Sequence, residues 1–250
     1  MKNIILQHFD GELPDWAIIA RDTVKNYADK IGVEYELVTG NPMGKVHGAH
    51  TQKLVYIQEK YDEYDQVLML DMDICATKIY NNVFDVPRIG VLHDRAMQGT
   101  SKTPGAAPKL YKKGAPCFFG NFIKLEKEQR IALREIWERD EQFIADSVVD
   151  HYSGDEIVLH YLFHQAGILE GKKPSELCMR LDDDLEHRKE NRWDRKFANL
   201  YQHSPINGRK GFEVWGDGHD KDASFLHFCT HQKRLIQHWF VSGPHAGRVE

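Results

Sequence analysis

Residues 66–73 read QVLMLDMD, a short apolar run that ends in two carboxylates, Asp71 and Asp73. A run with no polar face favours a strand that helices cover on both sides, as in the middle of a parallel sheet. The two carboxylates would then lie at the carboxyl end of the strand, where open α/β sheets bind ligands. Carboxylate oxygens suit Mg²⁺ or Mn²⁺. Taken alone, the stretch is also compatible with a strand that ends in two solvated acids.

The chain before this stretch alternates between strand and helix patterns. Residues 3–6 are apolar and β-favouring, and residues 33–37 alternate between apolar and acidic side chains. Between them, apolar residues recur at helical spacing from Asp15, after a proline, until a glycine at position 32. Apolar positions 54, 57 and 61 predict a second helix. The first 75 residues therefore predict a β-α-β-α-β unit with a parallel sheet.

The chain after the acidic pair is harder to divide. Residues 88–92 and 117–125 are predicted strands, followed by helices at about 126–146 and about 153–167. Residues 96–116 form a basic loop, which fits either a lid over a phosphate-bearing ligand or a solvated segment. We expect mostly surface loops and short elements over residues 170–222, with the acidic triplet 182–184 on a solvated face. Apolar character returns at 223–240.

Composition excludes several classes of protein. The 250 residues are 41% hydrophobic and carry a net charge of −5, which predicts a globular chain and gives no general case for nucleic acid or an anionic membrane as partner. No apolar run is long enough for an integral membrane segment, and the apolar run at the start is too short for a signal peptide, so a cytoplasmic protein is expected. The four cysteines form no Cys-x-x-Cys pair, which favours reduced thiols.

Three groups of residues are candidates for chemistry: Asp71 with Asp73, Asp155 with Glu156, and His227 with Lys233. A divalent ion whose coordination is completed by substrate phosphates needs few protein ligands, and two carboxylates with one distant imidazole would suffice. A lysine nearby could neutralise charge that develops on a diphosphate leaving group.

Each of these groups also has a simpler interpretation. Ser153 and Glu156 have the spacing of a helix capping box, so the acids at 155 and 156 could serve only the helix terminus. His227, Cys229 and His231 alternate, which could place them on one face of a strand as part of a zinc site. Lys53 alone is compatible with a solvated helix side chain.

Two segments resemble a known family. Residues 64–74 resemble the Asp-x-Asp segment of GT-A glycosyltransferases. More narrowly, the chain resembles the glycogenin and lipopolysaccharide galactosyltransferase group, which ends with a His-x-x-Gly-x-x-Lys motif. His227 and Lys233 keep that separation, whereas Thr230 replaces the glycine and no Pro-Trp follows the lysine. Residues 117–125 resemble the family strand with a small-residue acceptor-side segment, and Asp155-Glu156 falls near its Asp-Gln-Asp segment.

The resemblance implies a single three-layer α/β/α domain over residues 1–250, with a mostly parallel sheet, a nucleotide-binding half at 1–95 and an acceptor-side half at 96–250. It implies a hexosyltransferase, retaining if it follows glycogenin, that moves a sugar from a nucleoside-diphosphate sugar, UDP-sugar being favoured, to a hydroxyl acceptor such as a glycan.

The resemblance also implies roles for individual residues. Mn²⁺ or Mg²⁺ would bind to Asp71, Asp73 and His227. Lys53 and Asp71 would contact the donor, and Lys233 its diphosphate. Asp155, with Glu156 beside it, would face the reacting sugar carbon or the acceptor.

Two other classes remain as alternatives. Phosphohydrolases of the haloacid dehalogenase type also place Asp-x-Asp after an apolar strand. Their motif continues with Thr or Val where this chain has Cys75, and it usually opens the chain, whereas here a complete β-α-β-α unit precedes it. A non-catalytic nucleotide-sugar-binding protein would keep the metal ligands without turnover, and the altered C-terminal motif is compatible with that class.

Overall fold

The computed structural model describes residues 1–78, 80–86, 89–93, 105, 107–112, 115–149, 154–172, 178–182, 201–203, 224–228 and 233–237. The strands within these ranges are β1 (Asn3–His8), β2 (Glu34–Val38), β3 (Gln66–Leu70), β4 (Ile74–Ala76), β5 (Gly90–His93), β6 (Phe118–Glu126), β7 (Cys178–Asp182), β8 (Tyr201–His203) and β9 (Phe225–His227). The α-helices with both ends in these ranges are α1 (Asp15–Ile31), α2 (Lys127–Ser147), α3 (Gly154–Gln165) and α4 (Lys233–Gln237). The described residues also form 3-10 helices at Thr51–Ile57, Glu59–Tyr61 and Val83–Asp85.

The central sheet is mostly parallel, as the sequence predicted. Its described strands lie in the order β2-β1-β3-β6-β5-β7. All of these strands run in one direction except β6, which is antiparallel to both of its neighbours, β3 and β5. A smaller sheet has the order β4-β9-β8. This second sheet continues directly from the acidic turn that follows β3.

Strand β3 is buried on both faces, which confirms the interpretation of its uninterrupted apolar run. Val67 and Met69 pack into a core with side chains of α2 and α3. Leu68 and Leu70 pack on the opposite face with side chains of α1 and the small sheet. Alternate residues of one strand therefore serve two cores, and the arrangement is a three-layer α/β/α domain.

Helix α1 begins and ends close to where the sequence predicted. Pro14 precedes it in an extended conformation, and Gly32 follows it with φ 74°, a left-handed conformation that glycine adopts at little cost. Ala17 and Ala20, near its first turn, pack against Ile236 of α4. This contact holds α4 beside the start of α1.

The predicted helix over positions 54–61 is wrong in type. The structure has two 3-10 helices there, because Gln58 between them adopts extended dihedral angles of −69° and 149°. The Gln58 side chain donates a hydrogen bond to Pro42 O at 2.7 Å, which holds the break in place. All seven residues of Thr51–Ile57 are buried, so this segment has no solvent face of the kind an amphipathic α-helix shows.

Several expectations fall partly or wholly outside the described residues. Strand β5 begins at Gly90, and Arg88 before it lies outside the described ranges. So do most of the loop 96–116, Ser153 of the predicted capping box, and Asp183 and Asp184 of the acidic triplet. The described residues of the stretch 170–222 include two short strands, β7 and β8. The division into halves at residue 95 stays a prediction.

No helix in the described ranges is long and apolar enough to cross a membrane.

Candidate active site

The three predicted metal ligands lie together at the carboxyl end of β3. Asp71 follows the strand directly, and Asp73 comes two residues later, just before β4. His227 is the last residue of β9, and antiparallel pairing places it opposite Ile74 of β4. One candidate ligand atom from each of Asp71, Asp73 and His227 lies within 4.8 Å of the other two. Strand pairing thus joins two segments that are far apart in the chain.

Backbone hydrogen bonds from the neighbouring strands fix the acidic turn. The Asp71 amide donates to Asn121 O of β6 at 2.8 Å, and the side chain of Gln7 in β1 donates to Asp71 O at 3.2 Å. The amide of Phe228, after β9, donates to Asp73 O at 2.9 Å. Both carboxylates are therefore attached to a rigid backbone, which favours precise placement of ligand atoms.

Asp73 lies between the imidazole of His227 and the ammonium group of Lys233. Its Oδ1 lies 3.2 Å from Nε2 of His227, and its Oδ2 lies 3.1 Å from Nζ of Lys233. Burial alone would raise the pKa of Asp73, but His227 and Lys233 outweigh that effect and hold its pKa below the ordinary value. Asp73 is therefore ionised at neutral pH, the form that binds a cation.

Lys53 bridges the carboxylate of Asp71, one of the candidate metal ligands, and that of Asp155. Its Nζ lies 2.5 Å from Oδ1 of Asp71 and 2.6 Å from Oδ2 of Asp155, at the start of α3. Burial would lower the pKa of Lys53, but these two carboxylates raise it above its usual range. Burial is also the main reason that the pKa of Asp71 is raised, with Lys53 opposing the shift. The ammonium keeps the buried Asp155 and the half-buried Asp71 from facing each other unpaired.

Gly120 of β6 makes room for this ion-pair group. A Cβ added there would lie 1.8 Å from Oδ2 of Asp155 and 3.4 Å from Nζ of Lys53. The carboxylate of Asp155 therefore occupies the space that any other residue at position 120 would need. This contact ties the first turn of α3 directly to the backbone of the central sheet.

A pocket opens beside these residues. It is lined by His8, Phe9, Asp10, Trp16, Ala49, His50, Lys53, Asp71, Met72, Asp73 and Lys233. Phe9 and Trp16 meet edge to face with ring centroids 6.1 Å apart, and Nζ of Lys233 lies 4.9 Å from the centroid of Trp16. The pocket thus combines an aromatic wall, two lysines and three carboxylates, a mixture suited to a ligand that carries both a ring and phosphates.

The structure separates the predicted residues into those that line the pocket and those behind it. Lys53, Asp71, Asp73 and Lys233 line it, and His227 is 5% exposed and borders Asp73. Asp155 lies behind Lys53, and neither it nor the half-buried Glu156 is among the lining residues. Cys229 and His231 of the alternative zinc site, and Thr230 of the altered motif, lie outside the described residues.

Sequence reasoning missed Asn121 and Gly120. Asn121 is 4% exposed in β6, and its side-chain nitrogen lies 3.2 Å from Nδ1 of His227. The available signal was a pair of residues, Gly and Asn, in the middle of a mostly apolar predicted strand. Glycine in a strand interior often marks a close approach of another group, and a buried amide needs hydrogen-bond partners.

The residues present fit a divalent metal ion. The donor set is two carboxylates and one imidazole, and Asp73 Oδ1 is buried yet accepts no hydrogen bond of good geometry from the described residues. A buried carboxylate oxygen without a donor is costly unless a cation binds it. Mn²⁺ or Mg²⁺ suits such ligands when phosphate oxygens complete the coordination.

Comparison with solved structures identifies the fold. A glycosyltransferase involved in the glycosylation of the major capsid of PBCV-1 matches with a TM-score of 0.56 and 14% identity, covering 95% of this chain and 98% of that chain. Two structures of LgtC, an active-site mutant and a galactosyltransferase complex with donor and acceptor sugar analogues, match with TM-scores of 0.47 at 12% and 13% identity. Each LgtC match covers 91% of this chain and 87% of that chain. The sequence matches no protein-family model and no curated protein.

The first of these likenesses shows that the chain has the fold of a GT-A glycosyltransferase. The prediction of that fold, with its mostly parallel sheet, is confirmed. Activity, donor and acceptor do not follow from a shared fold, and for these the residues of the site have to be considered.

Proposed function

We propose that this protein is a metal-dependent glycosyltransferase that uses a nucleoside-diphosphate sugar. One observation carries the proposal: Asp71, Asp73 and His227 form a group of side chains that could hold a metal ion at the carboxyl end of β3, and Lys233 lies beside Asp73 in the pocket lining. A divalent ion bound there would supply positive charge to the diphosphate of the donor. Together with the glycosyltransferase fold, this site favours transfer of a sugar over other uses of a nucleotide.

The lysines and the buried acid have distinct parts in this proposal. Lys233, at 36% side-chain exposure, can swing from Asp73 to the leaving diphosphate and stabilise its charge. Lys53 is held between Asp71 and Asp155 and would donate to the donor sugar or its phosphate from below. Asp155, paired and packed against Gly120, would act by positioning Lys53.

The reaction would break the bond between the anomeric carbon and the diphosphate oxygen and form a bond to the acceptor hydroxyl oxygen. The acceptor proton would pass to the leaving diphosphate. Asp155 does not line the pocket, so a covalent intermediate on its carboxylate is disfavoured. We therefore propose that the acceptor oxygen attacks the anomeric carbon from the face that the diphosphate leaves. Such an attack retains the configuration of that carbon.

The finer identity of the substrates is part of the same proposal. We favour a UDP-hexose as donor and a glycan hydroxyl as acceptor, from the resemblance to the glycogenin and lipopolysaccharide galactosyltransferase group. The aromatic wall of Phe9 and Trp16, with Asp10 in the pocket lining, supports a planar base with hydrogen-bond donors on its edge. Mn²⁺ or Mg²⁺ is the proposed ion.

The experiment that tests this function is a donor screen. UDP- and GDP-sugars are incubated with the protein and Mn²⁺, and release of the free sugar is measured beside turnover of a generic phosphatase substrate. We expect slow, metal-dependent hydrolysis of one donor. Phosphatase turnover without donor hydrolysis would point to the haloacid dehalogenase-type alternative. Metal-dependent binding of a nucleotide sugar with no hydrolysis, and no transfer to any acceptor supplied, would point to a non-catalytic binding protein.

A further inference from the structure

Asn121 contacts both segments of the candidate metal site. Its backbone carbonyl accepts the amide of Asp71 at 2.8 Å, and its side-chain nitrogen Nδ2 lies 3.2 Å from Nδ1 of His227. Asn121 and His227 are 4% and 5% exposed, so water has little access to this contact. A single residue of the central strand β6 therefore holds one ligand through its backbone and another through its side chain.

The geometry defines which ring nitrogen can face an ion. Nε2 of His227 lies on the side of Asp73, 3.2 Å from Oδ1, whereas Nδ1 faces Asn121. A neutral imidazole that coordinates through Nε2 carries its proton on Nδ1, and that proton needs an acceptor. The amide of Asn121 can supply one, since rotation by half a turn about its terminal bond exchanges the nitrogen and the oxygen in the same space.

We propose that Asn121 is a positioning residue for the metal: it accepts the Nδ1 proton of His227 and so presents Nε2 to a divalent ion shared with Asp71 and Asp73. This inference rests on the metal site of the proposed function. Outer partners of metal-bound histidines fix the tautomer and the ring orientation, and their loss typically weakens metal binding about 10- to 100-fold.

Two substitutions of similar size at position 121 should have different effects on Mn²⁺ affinity. Asn121→Leu fills the space but cannot accept a proton, so Mn²⁺ affinity of the nucleotide-free protein should fall about 10- to 100-fold. Asn121→Asp supplies a stronger acceptor to the same nitrogen, so Mn²⁺ should bind at least as tightly as to the wild type. If Asn121 served only packing, the Mn²⁺ affinities of the two variants would not differ in this order.

The matched control is Asn82→Leu. Asn82 accepts the amide of Phe84 at 3.0 Å through Oδ1, and it belongs to neither the pocket lining nor the metal ligands. This substitution should lower thermal stability without changing Mn²⁺ affinity. It therefore measures how far a general loss of stability affects metal binding.

Mn²⁺ titration followed by electron paramagnetic resonance gives the affinities without any activity assay. If the wild type and Asn121→Leu bind Mn²⁺ equally, the proposed role of Asn121 is wrong while the metal site stands. If the wild type binds neither Mn²⁺ nor Mg²⁺, the metal site and this inference both fail.

A second measurement covers the case in which Asn121→Leu does not fold. Long-range proton–nitrogen NMR of the wild type loaded with Mg²⁺ shows which ring nitrogen of His227 carries the proton. A proton on Nδ1 is expected, and a proton on Nε2 would overturn the proposal.

Discussion

The ammonium nitrogen of Lys233 lies 3.1 Å from Oδ2 of Asp73 and 4.9 Å from the ring centroid of Trp16. Lys233 therefore holds a carboxylate that the proposed metal ion would also need, while the aromatic ring keeps it beside the pocket. In the absence of nucleotide the lysine and a divalent cation would compete for Asp73. With a diphosphate present, both cations would bind to it.

Replacement of Lys233 should therefore affect two affinities in opposite directions. We expect Lys233→Met to tighten Mn²⁺ binding several-fold in the absence of nucleotide, because a competing positive charge is gone. The same variant should bind UDP with Mn²⁺ about tenfold more weakly, because one cation near the diphosphate is lost. Isothermal titration calorimetry measures both. Lys25→Met, a substitution at an exposed position of α1, is the control and should change neither affinity. If Lys233→Met weakened both affinities in parallel, Lys233 and Mn²⁺ would not compete for Asp73.

Loss of Lys53 should be costly to the fold. Lys53→Met leaves the buried Asp155 and the half-buried Asp71 without their shared cation, and breaking a buried ion pair typically costs about 3–5 kcal/mol. The exposed pair of Lys60 with Glu36, at 3.1 Å, provides the control, since Lys60→Met should cost less than about 1 kcal/mol. Urea unfolding at pH 7 measures both, and similar costs for the two variants would show that the buried bridge adds no stability.

The stability of Lys53→Met should depend on pH in a characteristic way. Burial already raises the pKa of Asp71, and Lys53 opposes the shift. Without Lys53 the folded-state pKa rises further above the unfolded value, so stability is lost as the pH rises through it. The deficit of Lys53→Met against the wild type should be larger at pH 8 than at pH 5. A deficit that is constant between these pH values would contradict the electrostatic explanation.

The close approach at Gly120 gives a prediction about packing. Gly120→Ala places a methyl group 1.8 Å from Oδ2 of Asp155, so the carboxylate must move away from Lys53. Overpacking of this kind costs about 1–3 kcal/mol. The cost should largely disappear in an Asp155→Ala background, because the two residues are in direct contact. Gly105→Ala, where nothing lies within 4 Å of the added carbon, is the control. An equal cost of Gly120→Ala in both backgrounds would exclude Asp155 as its cause.

Lys124 provides a test at alkaline pH. It is 4% exposed in β6 and donates to the carbonyls of Val83 and Val86. Burial lowers its pKa to about 8. A lysine whose folded pKa lies below its unfolded value loses its proton on folding at intermediate pH, so its contribution to stability rises between about pH 8 and 10.5. The stability of the wild type relative to Lys124→Met should increase over this interval, and a constant or falling difference would contradict the shift.

Local patterns in the sequence located most of the elements that build the site. The uninterrupted run of β3 identified a strand with two covered faces, and the proline and glycine around α1 marked its ends. These features depend on periodicity and on the conformations of single residues, which neighbours in the chain determine. The position of Asp71 and Asp73 could be predicted for the same reason, because both residues come within three positions of the end of β3.

The remaining features depend on contacts between distant segments. The 3-10 geometry of Thr51–Ile57 depends on the burial of all seven residues, and the break that follows depends on the hydrogen bond from Gln58 to Pro42. The antiparallel direction of β6 leaves no mark in its apolar pattern, since both of its faces are buried in either direction. The contact of Asn121 with His227 arises only when β6 and β9 meet across the sheets.

The most direct test of the central claim is calorimetric titration of UDP and GDP into the wild type and Asp73→Asn, each with and without Mn²⁺. We expect one nucleotide to bind to the wild type only when Mn²⁺ is present. We also expect Asp73→Asn, folded to the same extent by circular dichroism, to lose this metal-dependent binding. Nucleotide binding that is equal with and without Mn²⁺, or unchanged in Asp73→Asn, would contradict the assignment of Asp71, Asp73 and His227 as the metal site of a nucleotide-sugar-dependent glycosyltransferase.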